Sequence, residues 1–560
     1  MRKFTGFGDL IGYWNERDPE GTAFIMSSDD SEDSKVLISY KELRRVFVRR
    51  SRELYTRRIE DEVKCEVILW DGSYECLTEI FAAAAAGIRS VLLNSVVSPE
   101  FLKGVLNGVD ADCLWTGKSL LKAEEFDVAD AGEFSETGDC AEGFHCEEGT
   151  PVIFYTSGTT SSGKAVALTD ESLMASAWNG GEMLPLTRTD LLLSILPADH
   201  VFGFVCGVLW PMTFGCPVAL CRGQLKIFQD FEYFRPTAVS LVPSMLSFFL
   251  NHNVFNKELK LVLVGAGTCK EEYIRKAVEK GIRVSFGYGL TETSSGVAIS
   301  TGGDPFAMDI CPDDTIKIAD DGEILIKAPS CMMKGYYKEQ EETDKVLKDG
   351  FLHSGDMGYL DEDGRLHISG RKKEMLVLED GTKVFLPEYE ERLAGALGNS
   401  DVAVVAVDDR LMLVYHPEGS ETEKATEALI GEIMERMDPV MKTVPRGQRI
   451  SRVILTDRAI PRTATGKIRR EKLLEEVCAM THEEVFQYLL KTVHNCMPDL
   501  DVSRFDRDTR FVDTNIDSMG FMLILSKIEG NTGVHVPETE WPGIQTFGEA
   551  ADAIARHMES

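Results

Sequence analysis

Along this chain short apolar runs alternate with stretches whose apolar positions recur every three or four residues. The alternation is sustained from about Leu37 to Met480. "CEVILWDGSYECLTEIFAAAAAGIRSVLLN" reads as strand, amphipathic helix and strand, and "TAVSLVPSMLSFFL", "LKLVLVGAGTCKEEYIRKAVEKGIRVSFGYG" and "VAVVAVDDRLMLVYHPEG" continue the theme. Strands separated by helices predict a parallel sheet with crossover helices, hence an α/β body. Between Asp321 and Gly370 the pattern shifts to short strands around D-G turns, "GEILIKAPS" and "GYLDEDGRLHISG", a β-rich appendage. Near Met480 it shifts again to short helical stretches, "EEVFQYLLKTVHNCM", "SMGFMLILSKIEGN" and "TFGEAADAIARHM", which predict a separate bundle of about 80 residues.

One segment, Val201 to Cys221, is long and uncharged enough to suggest a membrane span. Gly203, Gly207, Pro211, Gly215 and Pro217 divide it, which predicts a buried helix, a turn at Pro211 and a buried strand, with no membrane span. The acidic stretch Ala123 to Gly149 reads as a solvated surface loop.

Composition narrows the setting. The 560 residues exceed one ordinary domain, and 43% hydrophobic with 27% charged residues describes a globular chain with ample core. A formal net charge of -32 argues against nucleic acid or an anionic membrane as partner. Thirteen scattered cysteines without a C-x-x-C pair indicate neither a disulfide framework nor a zinc site. With an N-terminus that does not read as a signal peptide, a cytoplasmic location is expected.

The stretch "YTSGTTSSGKAVALTD", Tyr155 to Asp170, contains G-x-x-x-x-G-K between Gly158 and Lys164. A Walker loop needs Ser or Thr after its lysine and a helix starting there, whereas this chain has Ala165 followed by a period-two pattern. Strand, loop and strand is the expectation, with Thr169-Asp170 capping a later helix. Such a loop is either a plain polar hairpin turn or a phosphate cradle built from backbone at Gly158 and Gly163, hydroxyls at Thr156, Ser157, Thr159 and Thr160, and the charge of Lys164.

Three further motifs follow. "SFGYGLTETSS" leads from an apolar strand into Thr291-Glu292-Thr293, hydroxyls for phosphate and one carboxylate for Mg²⁺. "HSGDMGYLDEDGRLHISGRKKEML" carries Asp356 and Arg371, able to hydrogen-bond a ribose. "PRTATGKIRREKL" holds Lys467 in a flexible loop before a basic helix. In this order and spacing the four motifs resemble the adenylate-forming superfamily of acyl-CoA synthetases, carrier-protein ligases and luciferases, over nearly the whole chain.

That resemblance implies a large N-terminal adenylation core, 1–371, a small mobile α+β subdomain, 372–478, and then the helical bundle, 479–560. It implies ATP and Mg²⁺ as cofactors. Thr156 to Lys164, with Ser157, Gly158, Thr159 and Thr160, would close over the β- and γ-phosphates; Tyr288, next to Gly289, would stack on adenine. Glu292 would bind Mg²⁺ beside Thr291, and Gly265 and Ala266 would line the adenine and acyl sites. Asp356 with Arg371 would hold the ribose, Lys373 would be the hinge and Lys467 the catalytic lysine. His200 is either a satisfied polar residue beside the pocket or a residue of the acyl entrance. Lys372, Lys373 and Lys467 also have the plainer reading of surface charges.

"FVDTNIDSMGFMLILSKIE" has the plain reading of a helix cap at Ser518, but it resembles the phosphopantetheine attachment site of acyl carrier domains, and its place after an adenylating module reinforces that reading. The expectation is therefore a self-loading module. It makes acyl-AMP from a carboxylic acid and transfers the acyl group to a 4'-phosphopantetheine arm on its own carrier bundle. A phosphopantetheinyl transferase and a downstream acyl-accepting enzyme would be its partners. The alternative is an acyl-CoA synthetase releasing acyl-CoA, or loading of a carrier in another protein. Because "VFGFVCG" after His200 offers no carboxylate to pair a buried ammonium, a fatty or aryl acid is expected over an amino acid.

Overall fold

The structure is a computed structural model. It describes residues 2–28, 34–117, 121–132, 149–156, 163–223, 226–267, 269, 271–372, 375–377, 383–407, 410–417, 421, 426–444, 449–456, 458–462, 468–470, 472–473, 485–494, 497, 500, 502–514, 516, 524, 528, 540 and 544–558. The chain divides into two compact units, Met1–Lys372 and Lys373–Ser560.

Among its described residues the first unit holds three sheets. In a seven-stranded sheet the central strand is Arg89–Asn94; beside it lies Cys65–Trp70, parallel to it and to Cys113–Trp115 on its other side. The helix Tyr74–Ala86 makes this crossover. Its start is capped by the Ser73 hydroxyl, which accepts from the Cys76 N–H, and its end by Gly87 in the left-handed region. Ala82 to Ala86 are buried, and since five consecutive residues go right round the helix, its small side chains let neighbours close on it from every side.

On the other side of Arg89–Asn94 come Pro151–Tyr155, parallel, and Ala165–Thr169, antiparallel, with Tyr155 opposite Ala165. This is the strand, loop and strand that Ala165 predicted. Thr169 then caps the helix Asp170–Met183, its hydroxyl accepting from the Ser172 N–H. The two-residue strand Gly335–Tyr336 closes this edge, Tyr336 opposite Val166.

A nine-stranded sheet has a parallel centre that includes Ala238–Leu241, Leu261–Val264 and Arg283–Leu290. An antiparallel five-stranded sheet contains Glu323–Lys327, Phe351–Leu360 and Leu366–Arg371. This is the β-rich appendage, and its turns include the predicted D-G steps.

Two local expectations are corrected. Helical structure runs through Pro211, from Val201 to Thr213, with a π turn at Val205–Leu209; the break falls at Gly215. The widened turn just before Pro211 takes up the ring and missing N–H that would otherwise break a helix. Gly215 has φ 67°, and a Cβ there would come within 2.8 Å of the Trp14 ring. The strand Val218–Leu220 follows, and among the described residues no helix is long and apolar enough to cross a membrane. The second correction concerns "VAVVAVDDRLMLVY". Val402–Val407 and Arg410–Tyr415 pair antiparallel, because two residues can only turn a hairpin and cannot cross over.

In the second unit that hairpin is joined in parallel by Arg452–Leu455. The helices Leu386–Leu397 and Thr426–Met441 pack Leu393, Leu397, Leu429 and Ile433 against Val404 and Leu413. A separate apolar cluster joins Val485, Phe486, Leu489 and Val493 to Ile524, Ile528 and the helix Phe547–Met558.

Candidate active site

The site is built where the strand Arg283–Leu290 outlives its parallel neighbour. Its first half pairs in parallel with Leu261–Val264, as far as Phe286 opposite Val264. Its second half, Gly287 to Leu290, pairs antiparallel with Ser295–Ile299 on the other side. The neighbouring strand ends at Val264 and turns away at Gly265 and Ala266, leaving an edge at the carboxyl end of the parallel strands, the usual ligand crevice of such sheets. Ala266 stands in the left-handed region at φ 62°, a strained conformation for a residue with a Cβ.

The turn after this strand is held from several sides. Ser294 and Ser295 both have positive φ, 52° and 112°. The Ser294 hydroxyl donates to the Cys331 carbonyl at 2.7 Å and lies 3.0 Å from the Ser172 hydroxyl, while the Thr293 hydroxyl is 3.0 Å from the Ser295 carbonyl. Thr291 and Glu292 are thus presented on a turn pinned to the helix Asp170–Met183, and the Met333 N–H donates to the Glu292 carbonyl at 2.8 Å.

Lys164, just before a strand of the other sheet, is linked to this turn through Tyr336. The base of its loop is closed by the Thr156 N–H donating to the Lys164 carbonyl at 3.0 Å and the Lys164 N–H donating to the Thr156 hydroxyl at 3.1 Å. A Cβ on Gly163 would lie 2.2 Å from the Thr156 carbonyl oxygen, so only glycine closes the loop this tightly. The Lys164 ammonium lies 4.4 Å from the centre of the Tyr336 ring and 2.7 Å from Glu342 Oε2. Tyr336 donates its hydroxyl to Glu292 Oε1 at 2.7 Å. Burial first, then the Glu292 carboxylate, raises the Tyr336 phenol above its ordinary value, keeping it a donor; the lysine contacts lower the partly exposed Glu342 to about 2.

A second polar group lies along the same strand. The Tyr288 hydroxyl donates to Asp356 Oδ2 at 2.8 Å, and Arg371 Nε meets Asp356 Oδ1 at 2.7 Å. Asp356 and Arg371 are direct partners in the antiparallel sheet, and Asp356 is buried. Burial and the Asp356 carboxylate hold the Tyr288 phenol well above its usual range. Asp356, Tyr288, Glu292, Tyr336 and Lys164 therefore form one continuous path of contacts and backbone.

Just past the neighbouring strand Gly265 is buried beneath the Phe202 ring, and a Cβ there would come within 2.9 Å of that ring. His200 begins the short helix Val201–Phe204 and is exposed. Asp199, just before it, is buried; burial raises its carboxyl, against the pull of His200 4.0 Å away.

The structure thus brings together Thr156, Lys164, Gly265, Ala266, Tyr288, Gly289, Thr291, Glu292, Asp356 and Arg371, with His200 two residues from the Phe202 ring over Gly265. Ser157, Gly158, Thr159, Thr160, Lys373, Lys467 and Ser518 lie outside the described residues. Sequence reasoning missed Tyr336, Glu342 and Asp199. The first two stand in "KGYYKEQEET", which carries no periodic signal, and the third precedes His200 where the search for a carboxylate looked only after it.

A family model described as AMP-binding enzyme matches residues 13–337, more than half of the sequence. The chain belongs to this family. Among the relatives of this AMP-binding enzyme is the 2-succinylbenzoate–CoA ligase of Bacillus cereus, 29% identical over 373 residues, spanning 61% of this chain and 75% of the ligase. The fold is that of O-succinylbenzoate coenzyme A synthetase from Bacillus subtilis, solved in complex with AMP. The TM-score is 0.69 at 23% identity, covering 83% of this chain and 97% of that one. The same synthetase in complex with ATP and magnesium ion gives 0.67 at 22%, covering 83% and 98%. In this AMP-binding enzyme the path from Asp356 to Lys164 is the candidate nucleotide site.

Among the described residues no group of three His, Cys, Asp or Glu side chains could hold a metal ion by itself. A lone carboxylate at Glu292 suits Mg²⁺, which keeps most of its waters and binds through one or two carboxylates plus substrate phosphates.

Proposed function

We propose that this AMP-binding enzyme is an acid–thiol ligase that activates an aryl carboxylic acid as acyl-AMP and passes the acyl group to the thiol of CoA. The observation that carries the reading is the contact path itself. It sets a buried carboxylate with its arginine at one end, suited to ribose hydroxyls, and a second carboxylate near a lysine at the other, suited to a cation and phosphates.

In the first step a carboxylate oxygen attacks the α-phosphorus of ATP and pyrophosphate leaves, so no general base is required. Lys164, with the loop from Thr156, receives the β- and γ-phosphates. Thr291 offers a hydroxyl to phosphate, Tyr288 packs on adenine, and Asp356 accepts from the ribose hydroxyls with Arg371 fixing its orientation. Mg²⁺ held by Glu292 would neutralise charge on the phosphate oxygens. Lys467 is assigned to bridge the attacking oxygen and the α-phosphate, where charge develops. In the second step the thiol attacks the acyl carbon and AMP leaves, after the small subdomain turns about Lys373.

The relatives support CoA as acceptor over the chain's own carrier arm at Ser518, and so favour the alternative drawn from the sequence over its first expectation. They also favour an aryl acid over the fatty acyl branch, since the matched ligase is named for 2-succinylbenzoate. Phe202 over Gly265 fits a planar apolar substrate.

The test is to incubate the protein with Mg·ATP, CoA and a panel of aryl, aliphatic and amino acids, following pyrophosphate release and acyl-CoA mass. Acyl-CoA formed from aryl acids, equally by the Ser518→Ala variant, is expected. Acyl transfer to the protein itself, abolished by Ser518→Ala, would reinstate self-loading, and formation of ADP would reject adenylation.

A further inference from the structure

Two groups assigned to the triphosphate, Glu292 and Lys164, lie 128 positions apart in sequence, and one side chain touches both. Tyr336 is buried on a two-residue strand whose pairing with Ala165–Thr169 fixes its backbone one residue from the lysine's strand end. The Tyr337 N–H donates to the Ala165 carbonyl at 2.8 Å and the Tyr336 N–H to the Thr343 hydroxyl at 2.9 Å, so this backbone is held from both sides. Its hydroxyl meets one oxygen of Glu292 at 2.7 Å, and its ring centre lies 4.4 Å from the Lys164 ammonium. Among the described residues Glu292 has no second side-chain partner.

We propose that Tyr336 is a positioning residue for the metal–triphosphate unit: its hydroxyl orients Glu292 toward the cation, and its ring face holds Lys164 beside it. The inference rests on the reading of Glu292 as the cation-binding carboxylate and of Lys164 as a phosphate ligand. With one carboxylate oxygen engaged by the phenol, the other is left to face the metal, the arrangement by which outer hydrogen-bond partners set the direction of a metal ligand. The ring supports the ammonium without neutralising it. Glu342 does neutralise it, at 2.7 Å, so the arriving phosphates exchange with Glu342 while the ring contact is kept.

The two roles separate by substitution. Tyr336→Phe removes one oxygen and keeps the ring, while Tyr336→Leu removes both. The readout is Mn²⁺ affinity, measured by electron paramagnetic resonance in the presence of a non-hydrolysable ATP analogue, beside calorimetric affinity for the analogue without metal. Tyr336→Phe is expected to weaken Mn²⁺ about 10-fold or more, leaving metal-free analogue binding and the KM for the acid unchanged. Tyr336→Leu is expected to weaken the metal-free analogue as well, by about 3- to 10-fold. A merely structural tyrosine would move thermal stability and leave metal affinity alone.

Glu292→Gln is the control on the underlying reading. If Glu292→Gln loses Mn²⁺ affinity and Tyr336→Phe does not, the proposal for Tyr336 is overturned and the site assignment stands. If neither loses it, the assignment of Glu292 to the metal falls, and the proposal with it.

Discussion

Gly289 and Gly296 face each other across the antiparallel pair that carries Tyr288 and leads into Glu292, yet only one of them is sterically required. A Cβ on Gly289 would lie 1.6 Å from the Ser295 carbonyl oxygen, 2.4 Å from its carbon and 2.8 Å from the Gly296 Cα. All three atoms are backbone, so no change of rotamer relieves the overlap. Reaching an ordinary contact of 3.4 Å would part the strands by about 1.8 Å and break their hydrogen bonds at the bulge. Losing one or two such bonds at about 1 kcal/mol each, with about 1–3 kcal/mol of overpacking and a small gain from replacing glycine, gives about 3 kcal/mol. On Gly296 the nearest atom to an added Cβ is the Tyr288 carbonyl oxygen at 4.0 Å, so Gly296→Ala should cost less than about 1 kcal/mol. Urea unfolding of the two variants measures the difference, and calorimetric titration with Mg·ATP measures the site. Gly289→Ala should lose binding beyond detection because the displaced turn carries Glu292, while Gly296→Ala binds normally. Equal destabilisation by the two alanines, or normal Mg·ATP binding by Gly289→Ala, would refute the steric reasoning.

Three further outcomes are expected. Asp356→Asn removes the charge that Arg371 and Tyr288 share; with Arg371 partly exposed, the loss of a charge-assisted contact should raise the KM for ATP about 10-fold and leave that for the acid unchanged in a pyrophosphate-exchange assay. Arg50 and Glu79 form a buried two-point ion pair, at 2.6 and 2.8 Å, so Arg50→Met alone should cost about 3–5 kcal/mol in urea unfolding, and adding Glu79→Leu should restore much of it. Burial, with Asp313 nearby, pushes the Asp314 carboxyl up to about 7 from 3.8. The folded state therefore binds its proton more tightly than the unfolded chain, and the stabilisation present below about pH 4 is lost as pH rises through 7. Asp314→Asn should match the parent at pH 4 and exceed it by a few kcal/mol at pH 8; a constant difference across that range in pH-dependent unfolding would refute this.

What was legible in the sequence follows from where the information sits. Ala165 after the lysine, with Val166 and Leu168 in a period of two, is local, and it predicted correctly that the loop joins two strands. The Thr169 cap, the D-G turns and the strand Arg283–Phe286 are local in the same sense. The helix through Pro211 was not legible, since the π turn that absorbs the proline depends on packing against neighbouring elements. The hairpin at Val402–Tyr415 was misassigned because two apolar runs look alike whether they cross over or turn back, and only the two-residue gap decides it.

The site shows the same limit more sharply. Each motif supplies groups of the right chemistry, but the contacts that aim them come from residues with no motif of their own. Tyr336 reaches Glu292 and Lys164 only because Gly335–Tyr336 pairs with Ala165–Thr169, and a strand of two residues has no period to read. Ser294 and Ser295 read as small polar residues in a Thr-Ser run. In the fold they carry the positive φ values that bend the chain between Glu292 and the returning strand, and Ser294 is bonded to a helix more than 120 positions earlier. That strain is sustained because the Ser172 and Cys331 contacts over-determine the turn. If so, the residues most worth perturbing are those that hold the chemically obvious ones in place. Ser294→Ala, which deletes both hydroxyl contacts while leaving Glu292 in the chain, should lower Mg·ATP affinity more than it lowers overall stability.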